Sequence, residues 1–439
     1  MSEPWSGERA ERHLRSLELF GMRFGLDRMR RMMTALGSPH QRFRAVHVVG
    51  TNGKTSTTKM IAAILQRHGL ATGAYLSPHL VAYHERVQVA ERDLSSSAFA
   101  GAVARAAWAA ERVNRTLADD DHVTQFELLT AAAFWALAER GVEVAVVEAG
   151  LGGRFDATAV VESSVTVLTN VGLEHTRWLG PTVRDIATEK LAVLRPGTVL
   201  ALGPHLHPDA LAVARTGAAE QQARIVHASA SNSATFQQRN FALARAAAEA
   251  YLESAGLRVR EEAIREAELV GEVPGRLQTV AEHPFTVFDG AHNPDAAQAL
   301  VQALPALLGD RRLALVMGVL EDKDAASMLA TLLPLCERAW FTAPPSPRAL
   351  SPAALQSLAR QQGFVQAVCE PHPRVALRLA QEWAGTHTQP TAVLATGSIY
   401  LVGDLLAELR ERDAVELRGQ VAVEGRGVGR RGVATEGRT

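Results

Sequence analysis

Val48-Val49-Gly50-Thr51-Asn52-Gly53-Lys54-Thr55-Ser56-Thr57 is the stretch that decides the fold. The apolar run Ala45 to Val49 before it reads as a buried strand. The run after it reads as a helix through Gln66, with Met60, Ile61, Ile64 and Leu65 on one face. A strand, a glycine loop, Lys-Thr and a helix together form a phosphate-binding device. Backbone N–H groups surround the anion, the helix N-terminus adds positive potential, and Lys54 supplies a full charge. The Thr55 hydroxyl is placed to sit near a phosphate or a Mg²⁺ ion. The expected ligand is a nucleoside triphosphate. The commoner P-loop carries its first glycine where Val48 stands; here the glycine is Gly50, closer to Gly53. The alternative is a tight strand-to-helix turn with an exposed lysine.

A chain of 439 residues holds two domains, or three, and 47% hydrophobic content is ample for their cores. A formal net charge of −1 favours neither nucleic acid nor an anionic membrane as partner. Cys336 and Cys369 are the only cysteines, which gives no disulfide framework and no Cys-based zinc site. Glu3, Glu8, Arg9, Glu11 and Arg12 make the N-terminus too charged for a signal peptide, and no apolar run is long enough to span a bilayer. The expectation is a soluble, cytoplasmic protein that acts on small molecules.

Strand–helix alternation continues outward from the loop. Ala71–Leu76, Val142–Glu148, Val165–Thr169 and Thr198–Leu202 read as strands, and Gln125–Arg140 and Val183–Leu194 as helices. This predicts an α/β fold with a mainly parallel sheet, whose site lies at the carboxyl ends of the strands. A second series begins near Phe285, with strands at Phe285–Phe288, Leu313–Met317, Ala339–Thr342 and Ala392–Ala395. Its helices are expected at Asp295–Leu307, Ala353–Arg360, Arg374–Trp383 and Ile399–Arg410. It reads as a smaller Rossmann-like domain. The expected division is 1–280 for the P-loop domain, 281–417 for the second, and 418–439 as a disordered tail rich in Gly, Arg and Val. The boundary falls near Gln278–Pro284.

Several polar residues sit at the predicted strand ends. Glu148 closes an apolar strand and precedes Gly150-Leu151-Gly152-Gly153-Arg154; a strand that delivers a carboxylate beside a phosphate loop is a common way to hold Mg²⁺. A cap or surface acid is the alternative. His175 follows the strand Val165–Thr169, either as a site residue or as a structural hydrogen-bonder. Lys190 falls on a helix and on its own reads as solvated. Asp289-Gly290-Ala291-His292-Asn293-Pro294 opens the second domain. Asn293 and Pro294 fit a helix N-cap and N1, leaving Asp289 and His292 to face a cleft. Arg276, in Pro274-Gly275-Arg276, either reaches a phosphate or is an exposed loop residue.

These motifs together resemble the folylpolyglutamate synthase / dihydrofolate synthase family, the folate branch of the Mur ligases. The short loop Gly50–Thr55 is typical of that group. Gly-Leu-Asp-Arg-Met (25–29), Ser-Pro-His-Leu (77–80) with Glu85-Arg86, Phe126-Glu127, and Glu148 to Thr158 match in order. Glu174 to Gly180, Glu189-Lys190, Pro274–Arg276, Asp289–Pro294, Asp322-Lys-Asp324 and Thr396-Gly-Ser398 complete the set. The resemblance spans nearly all of residues 14–410. It implies that Asn52, Gly53, Lys54 and Thr55 hold ATP phosphates, and that Asn240, Arg276 and Asp289 also contact ATP. It implies two Mg²⁺ ions, one on Ser77 and Glu148 and the second on His175 with Lys190 as a carbamylated lysine. Catalytic roles fall to Lys54, Lys190, His292 and Ser398, the last two serving L-glutamate. Contacts to a dihydropteroate or folate substrate fall to Met22, Arg23, Phe24, Thr124, Gln125, Phe126, Glu127, Phe155, Asp156 and Ala157.

Departures from the family pattern are Ala159 where Asn is frequent, Glu174 where Asp is frequent, and Leu191-Ala192-Val193 after Lys190. The implied reaction is ATP-dependent ligation of glutamate through an acyl phosphate, by a bifunctional enzyme and expected monomer. The alternatives are a folylpolyglutamate synthase only, a muramyl-peptide ligase, and a nucleotide-dependent switch without ligase activity. Ser77–Leu80 with Glu85-Arg86 favours folate, and the presence of Glu148, His175, Lys190 and His292 argues against a switch.

Overall fold

A strand buried on both faces is apolar along most of its length, and Arg44–Val49 is buried from Ala45 onward, with its one buried polar side chain, His47, satisfied by the Thr158 hydroxyl at 2.8 Å. In the computed structural model, which describes residues 4–17, 24–231, 233–269 and 273–412, it forms β1 near the centre of an eight-stranded sheet. The other strands are β2 (Thr72–Tyr75), β3 (Val87–Val89), β4 (Arg92–Asp93), β5 (Val144–Glu148), β6 (Ser163–Leu168), β7 (Val199–Leu202) and β8 (Arg224–His227). Their order is β4-β3-β2-β5-β1-β6-β7-β8. Pairing is parallel from β2 through β8 and antiparallel only at the β2–β3 and β3–β4 edge.

Side-chain alternation splits the core into layers. Val46 and Val48 pack with Ile61, Ile64 and Leu65 of the helix Lys54–Arg67 and with Leu243 and Ala247 of the helix Phe236–Ser254. On the other face Val49 and Leu168 pack with Ile186 and Ala187 of the helix Val183–Leu191. Ala45 and Val147 pack with Leu128 and Phe134 of the helix Gln125–Glu139.

A second compact unit begins at Gly275. Its six strands are β9 (Gln278–Glu282), β10 (Phe285–Phe288), β11 (Arg312–Met317), β12 (Cys336–Phe341), β13 (Ala367–Cys369) and β14 (Thr391–Thr396), ordered β13-β12-β11-β14-β10-β9. Only β9 is antiparallel to its neighbour. The segment 278–282, which the sequence marks as a boundary, is thus an edge strand of this sheet. The expected tail, 418–439, lies outside the described residues, as do Met22 and Arg23. Among the described residues no helix is long and apolar enough to cross a membrane.

Candidate active site

The loop after β1 is braced by the connection that follows β6. Thr51 N–H donates to the Asn170 carbonyl at 3.0 Å, and Asn52 N–H to Asn170 Oδ1 at 2.8 Å. The Thr169 hydroxyl donates to the Asn52 carbonyl at 2.7 Å, and Gly172 N–H to the Thr51 hydroxyl at 3.1 Å. Gly53, at φ +80°, caps the helix Lys54–Arg67 in the left-handed region. A Cβ there would lie 2.5 Å from Asn240 Oδ1. Glycine is therefore required both by the turn and by the approach of Asn240 from the helix Phe236–Ser254. Lys54 Nζ donates to the Thr51 carbonyl at 3.1 Å, which keeps the ammonium over the loop at the positive end of the helix.

Glu148, at the end of β5, is 1% exposed. Its carboxylate accepts from the Thr55 hydroxyl at 2.9 Å and from the Ser77 N–H at 3.1 Å. Parallel pairing of β1 with β5 and of β2 with β5 places the three side by side. Thr55, Glu148 and Ser77 bring hard oxygen groups together, the chemistry that suits Mg²⁺.

Lys190 is buried, 4% exposed, on the helix Val183–Leu191. Its Nζ donates to the Gly50 carbonyl at 2.7 Å. Burial, reinforced by the neighbouring Lys54 charge, lowers its pKa to about 7, with Glu174 and Asp156 pulling the other way. The solvated reading of Lys190 from sequence is overturned: the side chain points inward, beneath the phosphate loop. His175 takes a left-handed conformation, φ 52°, at the start of the short helix Thr176–Leu179, with Nε2 3.6 Å from the Glu174 carboxylate. Among the described residues no three His, Cys, Asp or Glu side chains gather as metal ligands. An unmodified, ammonium-bearing Lys190 offers a cation nothing.

The segment after β5 supplies the next wall. Asp156 is buried and accepts from Leu151 N–H at 2.8 Å and Thr158 N–H at 3.0 Å. Burial raises its pKa against the pull of these bonds. It caps the turn Ala157–Val160, in which Ala157 is buried. Thr124 and Glu127 form a capping box on the helix Gln125–Glu139, and Glu127 also accepts from Arg28 Nε at 3.1 Å. Gln125 Nε2 donates to the Leu14 carbonyl and the Tyr83 hydroxyl. The Phe126 ring closes over Gly150, where a Cβ would meet it at 2.5 Å.

Three large aromatic side chains are left open to solvent in one cluster. Phe24, Phe155 and Trp178 are 49%, 46% and 40% exposed. The Phe24 ring centre lies 5.8 Å from that of Phe155 and 5.7 Å from that of Trp178. The sequence reading assigned no role to Trp178; its position three residues after His175 was the available signal.

In the second unit Asp289 follows β10 and is 3% exposed. It accepts from Leu277 N–H at 2.9 Å and Ala291 N–H at 2.8 Å; burial raises its pKa while Arg276 and these bonds oppose the shift. The Arg276 guanidinium lies over Gly290, where a Cβ would displace it. His292 Nδ1 is 2.9 Å from the Gly290 carbonyl, and Asn293 Oδ1 accepts from Ala296 N–H at 2.9 Å. Gly397 N–H donates to the Ala291 carbonyl at 3.0 Å, drawing the turn after β14 beside the turn after β10. The buried Ser398 hydroxyl accepts from Tyr400 N–H. Arg276, Asp289, His292 and Ser398 thus gather on adjoining turns at one sheet end.

A Mur ligase middle domain matches residues 48–260, and a Mur ligase glutamate ligase domain matches residues 275–399. The folylpolyglutamate synthase of Lacticaseibacillus casei is 34% identical over 363 residues, 75% of this chain and 84% of that protein. The dihydrofolate synthase/folylpolyglutamate synthase of Bacillus subtilis is 30% identical over 422 residues, 89% and 96% of the two chains. The solved folylpolyglutamate synthase of Mycobacterium tuberculosis, complexed with ADP and AMPPCP, superposes with a TM-score of 0.83 at 29% identity, over 91% of this chain and 99% of that one. The chain belongs to the Mur ligase family, on its folylpolyglutamate synthase and dihydrofolate synthase branch.

Proposed function

We propose that the protein uses ATP to join L-glutamate to the carboxylate of dihydropteroate and of folates that already carry glutamate. The observation that carries this reading is the buried Glu148 carboxylate bonded to Thr55 and Ser77 beside the phosphate loop. The pteroyl carboxylate attacks the γ-phosphorus of ATP, ADP leaves, and an acyl phosphate forms. The glutamate amine then attacks the acyl carbon, loses a proton and expels phosphate.

Each step develops or moves negative charge on phosphoryl oxygens. Lys54 and the N–H groups of Gly53, Lys54 and Thr55 are arranged to meet it. Asn240, Arg276 and Asp289 are assigned to the rest of the nucleotide. His292 and Ser398 are assigned to the incoming amino acid, whose amine must be held against the acyl carbon while water is kept away. Thr55, Glu148 and Ser77 would hold a Mg²⁺ ion, which supplies charge neutralisation at the phosphates when bound. A second ion would need His175 together with Lys190 converted to its carbamate.

The exposed rings of Phe24, Phe155 and Trp178 are assigned to the flat heterocycle and aryl ring of the substrate, with Met22 and Arg23 nearby in sequence. Thr124, Gln125, Phe126 and Glu127 shape this region through the capping box and the Phe126–Gly150 contact. Asp156 and Ala157 set the course of the loop. A monomer acting in the cytoplasm is the expected setting. Lys54→Ala is expected to abolish ADP release with an unchanged urea unfolding midpoint; near-normal turnover would rule out the phosphate role.

A further inference from the structure

A cavity of about 740 Å³ opens at the amino ends of β1, β6 and β7, the edge of the first sheet opposite the phosphate loop. Its wall combines Arg30 from the helix Asp27–Ala35, His40 from the turn before β1, Glu162 at the start of β6, and Arg195 from the connection into β7. Ser38 and Ser164 are among the other polar residues that line it. None of these residues belongs to the candidate active site.

The cavity wall sets two guanidinium groups, those of Arg30 and Arg195, against the one carboxylate of Glu162. Arg30 and Arg195 both face the cavity, and among the described residues neither forms an ion pair, with Glu162 or any other acid. Arg195 Nη2 donates to the Ala159 and Val161 carbonyls, while its Nε and His40 Nδ1 are buried with no hydrogen-bond partner. A guanidinium fork is shaped for a planar or tetrahedral oxyanion.

We propose that this cavity is a binding site for a small molecule bearing a carboxylate or phosphate group, held between Arg30 and Arg195. The site is also wired to the substrate loop. Arg195 holds the carbonyls of Ala159 and Val161, which belong to and follow the turn Ala157–Val160. That turn is capped by Asp156, whose other oxygen fixes Leu151. A ligand that draws on Arg195 therefore pulls on the loop that carries Phe155.

Calorimetric titration of the full chain tests this, with saturating MgADP present so that the phosphate loop is filled. Inorganic phosphate and citrate are the two probes. Saturable binding of phosphate alone assigns a phosphate ester, of citrate alone a carboxylate, and of both a general oxyanion site. In each case Arg30→Gln weakens binding about tenfold or more, the loss of one charge-assisted contact. Arg195→Gln does the same, provided its urea midpoint is unchanged; Arg30, exposed on its helix, gives the decisive variant in any event. No saturable binding of either probe, or equal affinity in Arg30→Gln, overturns the site. Amide exchange at Leu151 and Thr158 changes at a probe concentration that saturates the parent, and changes less in Arg30→Gln at that same, subsaturating concentration; unchanged exchange in the parent overturns the coupling.

Discussion

Gly153→Ala isolates the link between the glycine loop after β5 and the helix that carries Lys190. A Cβ at this position would lie 2.5 Å from the Lys190 carbonyl oxygen and 2.6 Å from that of Glu189. The closer contact falls about 0.9 Å inside the 3.4 Å of ordinary packing. Both obstacles are backbone, so no side chain can swing aside. Arg154 N–H also donates to the Glu189 carbonyl at 3.0 Å, which ties the loop to the end of the helix. Relief requires the loop or the helix to move, at a typical overpacking cost of about 1–3 kcal/mol. Lys190 Nζ reaches Gly50 from that same helix end, so the displacement is carried into the phosphate loop.

The assay is a pair of measurements: the urea midpoint for stability and steady-state ADP release for kcat/KM. Both fall in Gly153→Ala, the second by about 5-fold to 160-fold if the full strain reaches the loop. Gly217→Ala is the control. That residue sits inside the helix Pro208–Glu220 with open space around its missing Cβ, and the change should stabilise by about 0.5–1 kcal/mol. A Gly153→Ala protein with parental midpoint and parental kcat/KM would refute the account of this contact.

Trp178→Leu should raise KM for the pteroyl substrate several-fold, since stacking of a flat ring is worth about 0.5–1.5 kcal/mol beyond area, and leave KM for ATP near its parental value; equal effects on both would deny Trp178 a place at the substrate. The Lys190 pKa lies near 7 in the folded chain and at 10.5 when unfolded. Between these values the unfolded state holds the extra proton, so in bicarbonate-free buffer the parent gains stability relative to Lys190→Met as pH rises from 7 towards 10.5. Urea midpoints at pH 7 and pH 9 check the sign, and a widening deficit of the parent at high pH would contradict it. A neutral amine is also what reacts with CO₂; ¹³C-bicarbonate should give a carbamate resonance that Lys190→Met lacks, and its absence from the parent removes the basis for a second ion.

The parallel core of the fold was legible because its strands are buried on both faces and write themselves as apolar runs. Ala45–Val49, Val165–Thr169 and Phe285–Phe288 each fall on an observed strand to within a few residues. The edges were not legible. Val87–Val89, Arg92–Asp93 and Ala367–Cys369 are only two or three residues long, so they carry no period to read. The helices Ser96–Asn114 and Phe236–Ser254 went unassigned because alanine fills their buried stripes; Ala102, Ala106 and Ala109, or Ala244, Ala247 and Ala248, give weak contrast with their flanks.

At the candidate site, Glu148 announced itself as an acid ending an apolar strand. Lys190 did not, because Glu189-Lys190 reads as a solvated helix face and only tertiary packing turns the lysine inward. Trp178 was hidden for the opposite reason: an aromatic residue reads as core, and here it stays 40% exposed beside Phe24.

The most direct test of the central claim is ADP release by the purified protein with MgATP and L-glutamate, with dihydropteroate and tetrahydrofolate added in separate reactions. Turnover is expected with each, dependent on glutamate, with a product that carries one more glutamate than the substrate. Turnover with tetrahydrofolate alone would contradict the dihydropteroate half of the activity, and release that needs neither pteroyl substrate would contradict the ligase reading itself.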